Sequence, residues 1–226
     1  MGVSAKTPDW LRMLASALGA VTLAGPALAQ TPPTANMPSP VAAAPSIAAP
    51  APPPGTYQVE PDHTEIMFGV SHLGFTMYYG VFSHASGTLV LDSADLSASR
   101  LEVRVPVSSV LTPSPRLMQE LQGPQWLNAA AYPDMTFRST HITLTGRDTA
   151  KVEGELTLHG VTRPLTLTAK FNNAGENPLD HHYTIGFQAR GAIRRSDFGV
   201  KAYVPMVGDQ VHLNISAAFE RAPTTP

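Results

Sequence analysis

Residues 153–171, EGELTLHGVTRPLTLTAKF, leave the chain few folds to choose from. Val152, Gly154, Leu156 and Leu158 alternate with Lys151, Glu153, Glu155 and Thr157. His159-Gly160 then interrupts the run, and Leu165, Leu167 and Ala169 alternate with Thr166 and Thr168. A period of two puts every second side chain on the same side of an extended chain, so each arm is a strand with one apolar and one polar face. A short glycine-containing connection between two such arms predicts an antiparallel hairpin laid over an interior.

The same pattern runs from Thr56 to the C-terminal region. Ile66, Phe68, Val70 and His72 share a face; Tyr78, Gly80 and Phe82 follow, then Leu89 and Leu91, then Leu101, Val103, Val105 and Val107. Pro106 has no N–H to give a ladder, which places it at a strand's end or on an edge. Met135 and Phe137, Tyr183 to Ile193, and Val211 to Phe219 continue the alternation. One stretch departs from it: in Pro115–Gly123, Leu117, Met118 and Leu121 fall at helical spacing behind a first-turn proline, predicting a short helix ended by glycine. About eight to ten antiparallel strands with one helix make an all-β sandwich or a closed barrel, and patterning does not choose between them. Several inward positions are small: Gly154, Ala169, Ala189, Gly191 and Ala217. That suits a barrel of about eight strands with room for one ligand, and equally the taper of a filled one.

Residues 1–29 carry Lys6 and Arg12, an uncharged apolar run from Met13 to Leu23, and Ala27-Leu28-Ala29 before Gln30. That order is expected of a secretory signal peptide cleaved after Ala29, leaving no membrane-length apolar run behind it. Residues 30–54 are almost entirely Pro, Ala, Thr and Ser without a charge, which predicts an extended spacer that buries nothing. The folded domain is expected over 55–222, with 223–226 a tail. The chain has 15 basic and 17 acidic side chains; removing Lys6, Arg12 and Asp9 leaves 13 against 16, a formal −3, which argues against nucleic acid as a partner. With no cysteine, disulfides, thiolate metal sites and cysteine nucleophiles are excluded.

Six segments in order, over residues 56–221, resemble the YceI-like family of periplasmic or secreted lipid-binding proteins, often called polyisoprenoid-binding. They are Asp62-His63 with Phe68 and His72; Gly80-x-Phe82; Leu121-x-Gly123-Pro124; Tyr132-Pro133 with Phe137; the run from Gly154 to Pro164; and Arg195-Ser196-Asp197-Phe198-Gly199. The resemblance implies an extended lipocalin-like antiparallel β-barrel whose apolar tunnel holds a polyisoprenoid, an isoprenoid quinone or a fatty-acid derivative. It also implies a periplasmic location, no catalysis, no cofactor and no metal, and the family includes homodimers. The chain departs from the family at Met118-Gln119-Glu120, where many members carry Asp-x-His, and at Thr64, where Ser is usual.

The expected lining is Phe68, Val70, Phe82, Phe137, Leu156, Phe187 and Ala189, with Leu117, Met118, Leu121 and Trp126 near a mouth. A long apolar chain gains about 0.8 kcal/mol for each buried methylene and needs no special motif. His72, on the apolar face of its strand, is either a core histidine or a contact to a head group. Arg194 and Arg195 suit a phosphate head group by their planar forks, unless Asp197 pairs with one of them merely to fix the loop. Asp62, His63 and Thr64 are neighbours on an extended chain and point apart, so they brace a strand entry and form no catalytic relay. His181-His182 with Asp180 lack a third ligand at hairpin or helical spacing and fit a surface loop. Two rivals stand beside the lipid binder: a β interaction module without a cavity, and a lipid-modifying enzyme using His72 as its inward base.

Overall fold

The computed structural model describes residues 51–223 of the chain. The expected signal peptide (1–29), residues 30–50 of the expected spacer and residues 224–226 of the expected tail lie outside the described residues. Nine strands run Gly55–His72 (β1), Thr76–Phe82 (β2), Ser86–Leu91 (β3), Arg100–Pro106 (β4), Asp134–Leu144 (β5), Thr149–Leu158 (β6), Val161–Glu176 (β7), Tyr183–Arg194 (β8) and Val207–Arg221 (β9); one α-helix, Pro115–Gln122 (α1), lies between β4 and β5.

Every neighbouring pair is antiparallel, and β1 pairs with β9 to close the sheet on itself. β1 is long enough to serve two partners in turn. Its Gly55–Gln58 stretch pairs with β3 and its Ile66–His72 stretch with β2. β2 and β3 are thus two pieces of one wall position, broken at residues 83–85, and the result is a closed eight-stranded barrel. Closure removes the exposed edges that an open sandwich would leave, which decides the question that alternation left open. Among the described residues no helix is long and apolar enough to cross a membrane.

The hairpin over residues 153–171 forms in the expected register, with Leu158 opposite Val161. His159 (φ 52°) and Gly160 (φ 74°) are both left-handed, as the twist of a two-residue hairpin turn requires. A Cβ at Gly160 would strike the ring of Tyr132. The helix is also where expected: the Ser114 hydroxyl accepts from Leu117 N–H at 3.3 Å, Pro115 opens the first turn, and the N–H of Gly123 donates to Glu120 O. Gly123 itself is extended (φ −73°), so it ends the helix without a left-handed cap.

Strand direction sorts the connections. The β1–β2, β4–β5, β6–β7 and β8–β9 connections lie at one end, which also carries α1; the β3–β4, β5–β6 and β7–β8 connections lie at the other. At this far end Tyr57 is fully buried and donates its hydroxyl to Pro53 O at 2.7 Å, pinning the start of β1. Leu96, in the β3–β4 connection, packs against both groups of core side chains.

Candidate functional site

The inward faces of the strands do not meet across the barrel. They leave a lumen of about 330 Å³, the size of a small-molecule site (roughly 300–1,000 Å³). Small inward residues divide into two kinds. Ala150, Ala169, Ala189 and Ala217 line the lumen and set its width. Gly154 and Gly191 serve packing instead: a Cβ at Gly154 would meet the Phe137 ring and Arg138 O, and one at Gly191 would meet Leu167.

Of the expected lining residues, Phe68, Val70, Phe82, Leu121, Trp126, Phe137, Leu156, Phe187, Ala189 and Arg195 face the lumen. Four do not. His72 is exposed: it is the last residue of β1, at the helix-bearing end of the barrel, beyond the lumen-lining stretch of that strand, which stops at Val70. This removes the reading of His72 as a core histidine and takes away the inward base of the enzyme rival. Leu117 and Met118 are half-buried on α1, and of that helix only Leu121 reaches the lumen. Arg194 precedes Arg195 on an extended strand end, so it points outward, 3.2 Å from Asp209. Thr64, Leu127, Val200 and Val207 also line the lumen and were not anticipated. They sit in connections or at a bulge, where no period announces an inward position.

The lumen has few polar atoms, and those are largely occupied elsewhere. Thr64 Oγ1 donates to Ala218 O and accepts from Ala218 N–H; Ser99 Oγ accepts from Asp92 N–H. Arg195, 5% exposed, donates Nε to Gly208 O at 2.8 Å, Nη1 to Val200 O at 3.0 Å and Nη2 to Val207 O at 2.8 Å. A guanidinium has five N–H groups, so two are left over. Burial pulls the pKa of Arg195 down and Asp209 pushes it back up, yet a guanidinium keeps its proton at any working pH. No carboxylate among the described residues lies within ion-pair distance of Arg195. The guanidinium lies over the ring of Trp126, its carbon 5.3 Å from the ring centre.

Asp209, not Asp197, fixes this loop. It accepts from Ser196 N–H at 2.9 Å, from the Ser196 hydroxyl at 2.8 Å and from Arg194 Nε at 3.2 Å, while Asp197 is exposed. Burial alone would raise the pKa of Asp209; the bonds from Ser196 and the charge of Arg194 hold it below the usual carboxylate range. Three of the sequence segments meet in the same corner. His159 Nδ1 donates to Phe198 O at 3.1 Å, which assigns its proton, and its ring meets that of Tyr132 edge-on at 4.8 Å.

At the far end, Glu60 braces the entry attributed to Asp62 and His63. Its carboxylate accepts from both of their N–H groups and from His63 Nδ1, leaving Asp62 and His63 exposed. Pairing of β8 with β9 also brings Glu220 to His182, 2.9 Å from its Nδ1, with Asp180 alongside; sequence spacing gave no sign of this neighbour.

A closed eight-stranded antiparallel barrel with an apolar lumen and one short helix at its end is a lipocalin-like fold. Residues 57–219 match the model of the YceI-like domain, and the chain belongs to the YceI-like family. A UPF0312 protein of Pseudomonas savastanoi pv. phaseolicola is 36% identical over 146 residues, 65% of this chain and 76% of that protein. Protein YceI of Escherichia coli O17:K52:H18 is 35% identical over 157 residues, 70% of this chain and 81% of that protein. Among solved structures, the Campylobacter jejuni YCEI protein superposes with a TM-score of 0.60 at 29% identity, covering 68% of this chain and 90% of its own. A polyisoprenoid binding domain from Saccharophagus degradans, implicated in plant cell wall breakdown, shares the fold with a TM-score of 0.57 at 14% identity, covering 74% and 98% of the two chains.

Proposed function

We propose that the protein is an exported carrier or store for one long-chain amphiphile, its apolar tail in the lumen and an anionic head at Arg195. One observation carries this reading: a lumen of about 330 Å³ with an apolar wall, in which Arg195 is the one charged residue among the described residues. A buried charge is costly unless paired, and a phosphate or carboxylate head that reached the guanidinium would pair it. The name of the Saccharophagus domain supports a polyisoprenoid as the tail, and a fatty-acyl chain satisfies the same chemistry. A module without a cavity would fill its interior with side chains, which this barrel does not do. Residues 1–29 support export, and the family resemblance supports the periplasm as the destination. The reading assigns no bond-making step to any residue.

Native mass spectrometry of the protein purified from its own source, followed by solvent extraction, tests it. A stoichiometric isoprenoid or fatty-acyl species with an acidic head is the expected result. A bare mass that stays bare when such lipids are added overturns the reading.

A further inference from the structure

Two loops meet at the helix-bearing end of the barrel. Leu73 N–H, in the β1–β2 turn, donates to Met206 O at 2.8 Å, and Val207 N–H turns back to Tyr203 O at 2.8 Å. These loops hold Leu73, Phe75, Tyr203, Val204 and Met206 out to solvent, Phe75 at 85% exposure and Met206 at 58%. Single exposed apolar residues are common on any surface; five on two hydrogen-bonded loops form a patch of the kind that marks an interface. The patch adjoins the lumen. The Tyr203 ring centre lies 6.2 Å from that of Trp126, which lines the lumen together with Val70 and Val207 at the roots of the two loops.

Charge is uneven along the barrel axis. In the connections at the helix-bearing end the exposed charges balance, Arg116 and Lys201 against Glu120 and Asp197, while Arg195 is buried. The far-end connections and the β1 bulge carry Glu60, Asp62, Asp92, Asp95, Asp148 and Asp180 against Arg147 alone. An apolar rim on the end whose surface charges balance can approach an anionic lipid interface, which would repel the acidic end. Tyr203 has the amphipathic ring that settles at headgroup depth.

We propose that this rim seats the protein on an anionic bilayer, with Phe75 and Met206 entering the headgroup layer, so that a lipid moves between bilayer and lumen without crossing water. The proposal rests on the lipid-binding reading above and adds the surface from which the lipid is loaded. Met67, Met77 and Tyr79 continue the apolar surface down the outside of β1 and β2, which makes a second copy of this chain the competing occupant.

The test uses the purified protein with phosphatidylcholine–phosphatidylglycerol vesicles and three readouts: the fraction sedimenting with vesicles, the rate at which a fluorescent fatty acid leaves the vesicles for the protein, and equilibrium occupancy when the same fatty acid is delivered from cyclodextrin. Phe75→Asp with Met206→Asp is compared with Leu179→Asp, because Leu179 is 90% exposed but stands in the acidic far-end β7–β8 connection. The double variant is expected to lose about tenfold or more in vesicle association and to slow transfer, with occupancy from cyclodextrin and circular dichroism unchanged; Leu179→Asp should match wild type. A double variant that sediments like wild type, an equal loss in Leu179→Asp, or a wild-type dimer that the double variant splits overturns the rim. Vesicle binding that persists in a wild type taking up no fatty acid from cyclodextrin supports the rim and overturns the lipid-binding reading instead.

Discussion

The Arg195 guanidinium lies over the Trp126 ring, 5.3 Å from its centre, so the one cation that the described residues place in the lumen wall is backed by an aromatic face and held by three carbonyls. These carbonyls belong to Val200, Val207 and Gly208, on both arms of the β8–β9 connection, so a single side chain ties the loop into one shape. Arg195→Lys keeps the charge and loses the fork, because an ammonium cannot reach three diverging acceptors. Two buried carbonyls then lose their donor, at about 1–3 kcal/mol each. Urea denaturation should show Arg195→Lys less stable than wild type by about 2–6 kcal/mol. Equal midpoints would show that the loop does not depend on the fork.

Ala189 sits between Ala169 on β7 and Ile215 on β9, and all three face the lumen. Ala189→Phe should place a ring in open space, at a cost below the roughly 3 kcal/mol that overpacking a filled core incurs. The variant is expected to fold and to lose the lipid that co-purifies with wild type, read by native mass spectrometry. A folded variant with wild-type lipid content would place the lipid elsewhere.

Alternation made the strands, the hairpin register and the inward faces legible, because each strand of a barrel has one side in and one side out. It failed where an element ends or the period changes. His72 is the last residue of β1 and lies in solvent at the end of the barrel, and at α1 the spacing of Leu117, Met118 and Leu121 marked an apolar side without saying which of them reaches the lumen. The role of Arg195 was half legible. The residue type suggested an anion partner, but its burial and its three carbonyls depend on a loop whose closing residues, Val200 to Gly208, carry no periodic signal. The small inward residues stand out in the sequence as a set, yet only the alanines widen the lumen.

Gly154 and Gly186 give a matched pair on the wall. A methyl group at Gly154 would enter the Phe137 ring and Arg138 O, whereas at Gly186 its nearest neighbour is Asn172 Cβ at 4.0 Å. Gly154→Ala is therefore expected to lose about 1–3 kcal/mol to overpacking. Gly186→Ala should be neutral or gain a few tenths, since alanine restricts the unfolded chain more than glycine does. Thermal melts of both variants check the contrast, and equal losses would contradict it.

Asp209 makes the β8–β9 loop sensitive to acid. Its folded-state pKa lies below the ordinary carboxylate value of about 3.9 because Ser196 and Arg194 stabilise the charged form. Folding therefore favours the deprotonated group, and the stability it contributes is complete above that value and lost as pH falls through the lower folded value. Asp209→Asn keeps an oxygen for Ser196 N–H and removes the charge that faces Arg194. At pH 7 the variant should melt below wild type. The gap between the two melting temperatures should narrow as pH falls below about 4. Glu60, Asp95 and Asp134 also have lowered values and weaken both proteins in acid, but they are the same in each and drop out of the difference. A gap as wide at pH 3 as at pH 7 would mean that the loop is held by the shape of the Asp209 side chain and not by its charge.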